Sequence, residues 1–507
     1  MQWVSTKVKG KLAEHEPVDR DIPLFLPEQL VDFLFNDAGV HIDEDDVQQY
    51  WAHARAQSIP WASASDDGQH YPLALYGDSA KFSAAGDKIT GIFMSMPLFD
   101  PRSARFSRFL LCALESHCIV GMQTLGPLYQ KIVDSMWKLY TEGLFIKAKG
   151  RKVKFCTVEI RGDWEWHSVA FDFIPTWRSD QFCWRCEADK KKDPNFLDFS
   201  ENPAWKLTER SNTKFLANCL RSPPGGPSPL ILLPKFHYST IRHCSMHNIN
   251  LGFAQVACGS ALLLLTELNF FGDIAAMSFQ DRLVVAYKDF KAWCRMNKIY
   301  CSHGLFTPNS VYKEKTLGAH ISSKAYNCRV LISWLSSCYA IVVSGTFEPG
   351  RLLGLWLSEN DQEWPEHEMI YPTAIAMNAL SRNMWLVETS PRYLTGEQAE
   401  SIYQTGMLFL RTHILLTQLA GRFGLLFWVL IPKLHMYHHQ LRDARSTRLN
   451  WRHFHTFLDE DNMKWLKCIC QGANRRCLER SCLKSSQFRL LAMRRHIRRL
   501  NNRSQAR

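Results

Sequence analysis

The sequence predicts a mixed α/β fold: a block of strands and helices, a long and mostly helical stretch behind it, and a basic C-terminal tail. Three observations carry that prediction. Between residues 70 and 172, apolar runs follow one another in the order strand, strand, strand, helix, strand. From 173 to 440 the apolar spacing is mostly helical and strand signals are few. Of the net charge of +12 on 507 residues, about +10 falls within 475–507, where eleven Lys/Arg face the single Glu479. The body of the chain is close to neutral.

The elements read in order as follows. Residues 1–69 are expected to be a small helical segment, because Leu30, Phe33 and Leu34, then Val47, Tyr50 and Trp51, recur at helical spacing around an acidic turn at 43–46. Residues 73–76 form a short apolar run, 89–96 an apolar run with β-branched residues and 106–120 a long apolar run, which predicts three adjacent strands; the turn Ala85-Gly86-Asp87 between the first two supports a hairpin. Leu125, Leu128, Ile132, Met136 and Leu139 then repeat every three to four residues and predict an amphipathic helix ending near Gly143. Residues 153–160, rich in Val, Phe, Thr and Ile, predict a fourth strand. The domain reading is 1–69 helical, 70–172 strand-rich, 173–440 mostly helical, 441–485 a late helix and 486–507 a basic tail.

A composition of 46% hydrophobic and 22% charged residues excludes a disordered or fibrous chain. The length, about three times the ~150 residues of one domain, points to a large core or several. Sixteen cysteines are scattered without an apolar leader, so they are expected to be reduced thiols inside a cell. The apolar stretches 330–343 and 424–432 are shorter than the ~20 residues a bilayer requires. They are expected to be core, with no membrane partner.

Four constellations could carry chemistry. Asp78 follows the first strand of the block, Asp163 follows the fourth, and Asp459-Glu460-Asp461 begins the late helix. Two-metal phosphoryl transfer needs carboxylates converging on two divalent cations ~3.5–4 Å apart. Residues that leave parallel neighbouring strands at their carboxyl ends can converge in that way. The same aspartates also read as a turn residue and a helix N-cap. Cys183-Trp184-Arg185-Cys186 has the spacing of two zinc thiolates, for which Cys219, His237, His243, Cys244 and His247 are candidate partners. Two ordinary thiols in an aromatic turn are the plainer alternative. Arg494, Arg495, Arg498 and Arg499 form two pairs about one helical turn apart, dense enough to contact phosphates or to act as a nuclear-import signal. The run Lys433-Leu434-His435-Met436-Tyr437-His438-His439 could meet DNA backbone or a metal, or lie in a partly buried helix. There is no P-loop and no G-x-S-x-G elbow.

The segments Leu75-Tyr76-Gly77-Asp78, Gly162-Asp163-Trp164-Glu165-Trp166, Cys183-Trp184-Arg185-Cys186, Ser245-Met246-His247-Asn248 and Thr456-Phe457-Leu458-Asp459-Glu460-Asp461 resemble, in order, the landmarks of eukaryotic DDE/D transposase-derived proteins of the CACTA, Plavaka and Kyakuja-Dileera-Zisupton type. The resemblance covers residues 70–485. It implies an RNase H-like mixed-sheet core interrupted by a large helical insertion, which suits the separation of 297 positions from Asp163 to Glu460. It further implies Asp78, Asp163 and Glu460 as catalytic ligands of two Mg²⁺ or Mn²⁺ ions, with Asp459 or Asp461 as substitutes for the last, and a structural Zn²⁺ at Cys183 and Cys186. The implied activity is DNA cleavage and strand transfer by a nuclear protein on double-stranded DNA, as a homo-oligomer. Cys244 departs from the pattern, because many relatives carry an aspartate there, three residues before the histidine. A catalytically inactive DNA-binding derivative is therefore the alternative, and a metal-dependent nuclease that never joins DNA is a third reading.

Overall fold

A computed structural model describes residues 1–10, 16–62, 70–173, 178–221, 226–313, 318–344 and 365–505. Residues 63–69 of an N-terminal polar run, 222–225 of a Pro/Gly-rich loop and 345–364 ahead of a late helix lie outside them. The fold is mixed α/β. The chain forms two units, the first made of Met1–Asp189, Thr208–Cys244 and His453–Arg507, the second of Lys190–Leu207 and Ser245–Arg452.

The first unit opens on a hairpin where the sequence pattern predicts helix. Strands β1 (Gln2–Val8) and β2 (Val18–Leu24) pair antiparallel from Gln2↔Leu24 to Val8↔Val18. Val4, Thr6 and Val8 alternate into the core, a period-2 pattern of β-branched residues that is a strand signature. The expected helical pieces follow as α1 (Pro27–Asp32) and α2 (Glu44–Ala56), the latter capped by Asp43, whose side chain accepts from the Asp45 amide.

The sheet that positions the site is built from β3 (Tyr71–Lys81), β4 (Lys88–Ser95), β5 (Phe109–Glu115) and β8 (Phe155–Arg161), in the order β5-β4-β3-β8. Between β5 and β8 the chain makes helix α3 (Gly121–Thr141) and a small hairpin, β6 (Leu144–Ile146) and β7 (Arg151–Val153). Strands β3, β4 and β5 pair antiparallel, whereas β3 and β8 pair parallel. Every residue of β5 and β8 is buried, so both faces of these strands are covered; β5 is accordingly apolar up to Glu115, whereas β8 buries Thr157, Glu159 and Arg161 among its apolar residues. Beyond β8, Ile241 forms a parallel bridge with Ile160, and the Arg242 amide donates to the Ile160 carbonyl at 2.9 Å. Helices α4 (Trp164–Phe171) and α5 (Asn212–Cys219) complete this part of the unit.

The second unit is mainly helical: α6 (Ala254–Glu267, entered through a π-helical turn at Met246–Phe253), α7 (Phe279–Met296), α8 (Pro308–Val311), α9 (Ala325–Ser344), α10 (Pro365–Thr389), α11 (Gly396–Arg422) and α12 (Lys433–Thr447). Two stretches, Met246–Glu267 and Ala325–Ser344, are long and apolar enough by length and composition to cross a membrane, with 89% and 56% of their apolar windows buried. Uninterrupted apolar runs understate their length, because serines and threonines lie within them.

The chain returns to the first unit with α13 (Phe457–Gly472) and α14 (Leu478–Gln505). Helix α14 packs along β5 and β2, burying Leu478, Cys482, Leu483, Met493 and Ile497. The basic stretch expected as a tail is thus the distal half of a docked helix.

Candidate active site

Two glycines and one tryptophan set the sheet end. A β-carbon on Gly77 would stand 2.0 Å from the Trp166 ring, and one on Gly162 would stand 2.5 Å from it. Only residues without side chains let α4 close onto β3 and β8 here. The lock fixes Asp163 at the N-cap of α4, where its Oδ1 accepts from the Trp166 amide at 2.6 Å. On β3, Asp78 lies inside the strand rather than just past its end as expected, because the strand runs on to Lys81 in its pairing with β4. The last parallel pair is Tyr76↔Arg161. Asp78 and Asp163 each stand two residues beyond it, where the two strands part.

A third glycine brings in the late helix. Asp78 pairs across the sheet with Gly91 of β4, and a β-carbon there would meet Leu466 at 2.8 Å and the Met463 sulfur at 3.2 Å. Helix α13 therefore rests directly on the sheet beside Asp78, with its first turn holding Asp459 and Glu460. Tyr76 registers the convergence. Its hydroxyl donates to Asp78 Oδ2 at 2.9 Å, and burial, then the carboxylates of Asp78, Glu460 and Asp459, hold the phenol well above its usual range.

The three acids at the start of α13 differ in environment. Asp459 is fully buried, and both its oxygens are taken by Arg108, through Nε to Oδ1 and through Nη2 to Oδ2 at 3.1 Å. Asp461 is exposed. Glu460 is half-buried and is the one that combines access with a charge felt at Tyr76. A second buried pair lies one strand away, where Arg161 Nε donates to Glu159 Oε2 at 2.8 Å and Nη2 reaches the His453 carbonyl at 3.2 Å. His455, beside these groups, is pushed down to about 4, chiefly by burial. Asp78, Asp163 and Glu460 are not among the described groups whose ligand atoms all lie within 4.8 Å of one another.

Sequence reasoning did not find Tyr76, Arg108, Glu159, Arg161 or His455. Arg161 and Glu159 had a usable signal, opposite charges two residues apart at the end of a mainly apolar strand directly before Gly162-Asp163. Arg108 had none, since its partner is 351 positions away.

The chain also holds residues able to bind a metal: in the first unit the set Glu115, His117 and Cys118 and the buried pair Cys183 and Cys186, and in the second unit the buried pair His435 and His439. In the first unit, Cys183 Sγ accepts from the Arg185 amide at 3.3 Å, and Cys186 accepts from the Ala188 amide. Each thiol thus receives the amide two residues on, while burial, above all, and the neighbouring Cys183 push the Cys186 thiol up. Arg210 braces the turn by donating to the Cys183 carbonyl at 3.0 Å and the Trp184 carbonyl at 2.8 Å. Of the candidate partners in the first unit, three are engaged otherwise: His237 Nδ1 lies 2.8 Å from Ser239 Oγ, His243 packs on Trp184, and Cys244 Sγ lies 2.9 Å from Thr456 Oγ1, while Cys219 is a buried free thiol. In the second unit, His435 and His439 sit one turn apart on α12, packed against Trp205. A cavity of about 430 Å³ lined by Phe173, Trp184, Arg210, Lys214 and Phe215 lies on the cysteine turn and not on the acids.

The arginines of α14 divide by face. Arg495, Arg498 and Arg499 are exposed and Arg494 is half-buried, while Met493 and Ile497 point into the core. No protein-family model and no curated protein matches this chain.

Proposed function

We propose that this chain is a transposase-like DNA strand-transfer protein with an RNase H-like core, acting in the nucleus, as a homo-oligomer, on double-stranded DNA. The observation that carries the reading is the placement of Asp78 and Asp163 beyond the last pair of two parallel strands, with the helix of Glu460 docked at Gly91 beside them. The strand order, with Ile241 bridged beyond β8, supports the core assignment. The three carboxylates are the hard oxygen donors that Mg²⁺ or Mn²⁺ prefers, and the charges of Asp78 and Glu460, with that of Asp459, acting together on Tyr76 support a cation there. A pair of such ions would supply charge stabilisation to the attacking and leaving oxygens of an in-line displacement. Tyr76 orients the Asp78 carboxylate, and the Arg108–Asp459 pair anchors the helix that presents Glu460. Cys183 and Cys186 supply two thiolates of a structural Zn²⁺, consistent with the amides directed at both sulfurs. The exposed Arg495, Arg498 and Arg499, with the half-buried Arg494, supply phosphate contacts.

The inactive DNA-binding derivative stays in view because Asp163 uses one carboxylate oxygen to cap α4, and because Cys244 is taken up by Thr456. Incubation of the purified chain with Mn²⁺ and DNA carrying the ends of the element around its gene separates the readings. Strand transfer predicts nicked and joined products, both absent in Asp78→Ala. Binding without either product supports the derivative, and nicking without joining supports a plain nuclease.

A further inference from the structure

We infer that Glu115, His117 and Cys118, at the far end of β5, form a site for one borderline divalent cation, Zn²⁺ above all, separate from the acidic site and from the cysteine turn. The three ligand atoms lie within 4.8 Å of one another. His117 Nε2 is 3.4 Å from Glu115 Oε2 and 3.4 Å from Cys118 Sγ. Ligands of a tetrahedral zinc ion, at ~2.0–2.3 Å from the metal, stand ~3.3–3.6 Å apart, so both separations match edges of such a tetrahedron. One imidazole nitrogen equidistant from a carboxylate and a sulfur is better placed to share an ion with them than to serve each by its own hydrogen bond. The local chain produces the arrangement: β5 delivers Glu115, and the 3₁₀ turn Ser116–Cys118 brings the next two ligands back over it.

Two further observations point to a cation. Glu115 is 8% exposed, and its Oε1 is buried with no hydrogen-bond partner, a costly state for a carboxylate oxygen. Around it, Glu479 of α14 is also buried and is paired with Arg20, whose Nη2 lies 2.8 Å from Glu479 Oε2 and whose Nη1 lies 3.9 Å from Cys118 Sγ. Arg20 is thus engaged by Glu479, while the buried Oε1 of Glu115 has no hydrogen-bond partner at the same junction. One divalent ion neutralises that carboxylate. Glu479 and Arg20 then act as outer-shell groups that hold the ligands in place, and the site ties β2, β5 and the start of α14 together. The Lys9 amide, donating to the Cys118 carbonyl at 3.0 Å, adds the end of β1 to the same junction. The set mixes soft and hard ligands, which suits Zn²⁺ better than Mg²⁺ or Ca²⁺. The inference does not rest on the strand-transfer function.

The full-length chain, loaded with Zn²⁺ and dialysed, tests it by metal counting. His117→Ala is the first variant, since the side chain is 60% exposed and its removal spares the core. It should lose about one zinc per chain relative to the unsubstituted protein, and Cys118→Ser should lose the same one. Cys183→Ser, a different site, should leave that ion in place, so failure there and failure here are told apart. Glu479→Gln should retain the ion with about 10–100-fold weaker affinity. The zinc-induced rise in Tm of the unsubstituted chain should shrink in His117→Ala. Zinc content and Tm rise unchanged in both His117→Ala and Cys118→Ser would overturn the inference.

Discussion

A β-carbon on Gly77 would stand 2.0 Å from Cε2 of Trp166, so the strand that carries Asp78 and the helix that Asp163 caps fit together only because residue 77 has no side chain. Gly77→Ala should therefore cost about 1–3 kcal/mol of unfolding free energy, the usual range for forcing atoms into a packed interior. It should lower any metal-dependent activity in the same variant. Trp166→Phe combined with Gly77→Ala should recover part of the stability. A denaturant midpoint unchanged by Gly77→Ala would show that the ring yields without strain.

Asp459 and Glu460 are neighbours with opposite consequences. Arg108→Ala leaves the fully buried Asp459 without its partner and should destabilise the fold by about 3–5 kcal/mol. Asp459→Asn together with Arg108→Met should cost less than Arg108→Ala alone, because no unpaired charge remains. Glu460→Gln, at a half-buried position, should stay within about 0.5 kcal/mol of the unsubstituted protein. Urea titration of the four proteins checks the order, and a mild Arg108→Ala would contradict the structural role given to the pair.

Acid sensitivity follows from two histidines. Burial lowers His455 and His413 from 6.5 to about 4. Each is neutral in the folded protein, while the unfolded chain takes up a proton below about 6.5. Their contribution is thus fully present above that pH and is lost as pH falls toward about 4. Unfolding midpoints should drop across this window, and His413→Gln should flatten the slope there. A slope identical in the variant would show that His413 titrates alike in both states.

The outer face of α14 makes a separate prediction for DNA. Replacing Arg494, Arg495, Arg498 and Arg499 with Gln should reduce the dependence of log K on log salt by about 0.9 for each DNA phosphate that these arginines neutralise. Stability should change little, because the core side of the helix is Met493 and Ile497. Deleting 475–507 is not an equivalent experiment, since it removes Leu478, Cys482 and Leu483 from the core. An unchanged salt slope in the fourfold variant would make the four arginines solvated charge.

Much of this arrangement was legible in the sequence. The block of three strands, a helix and a fourth strand shows because its mainly apolar runs are separated by Gly/Asp turns, as at Gly86. The β1–β2 hairpin carried a readable alternation, Val4, Thr6 and Val8, which the helical spacing after Pro27 overshadowed. Asp459 could not be told from Glu460 by spacing, because its partner Arg108 comes from a distant segment. The basic tail was not legible as part of a docked helix, since its apolar residues are sparse; Met493 and Ile497, one turn apart, help to seat it. The Glu115–His117–Cys118 set escaped notice because E-x-H-C is not a recognised spacing, and only the 3₁₀ turn folds it into a cluster.

The most direct measurement concerns Asp163, which both caps α4 and is assigned to the acidic site. Asparagine caps a helix as well as aspartate does but offers no carboxylate to a cation. Asp163→Asn should therefore keep the unfolding free energy within about 0.5 kcal/mol of the unsubstituted protein. In the same samples, joining of DNA ends in Mn²⁺ should disappear. Joining at the unsubstituted rate by a stably folded Asp163→Asn protein would reduce Asp163 to a helix cap and contradict the account.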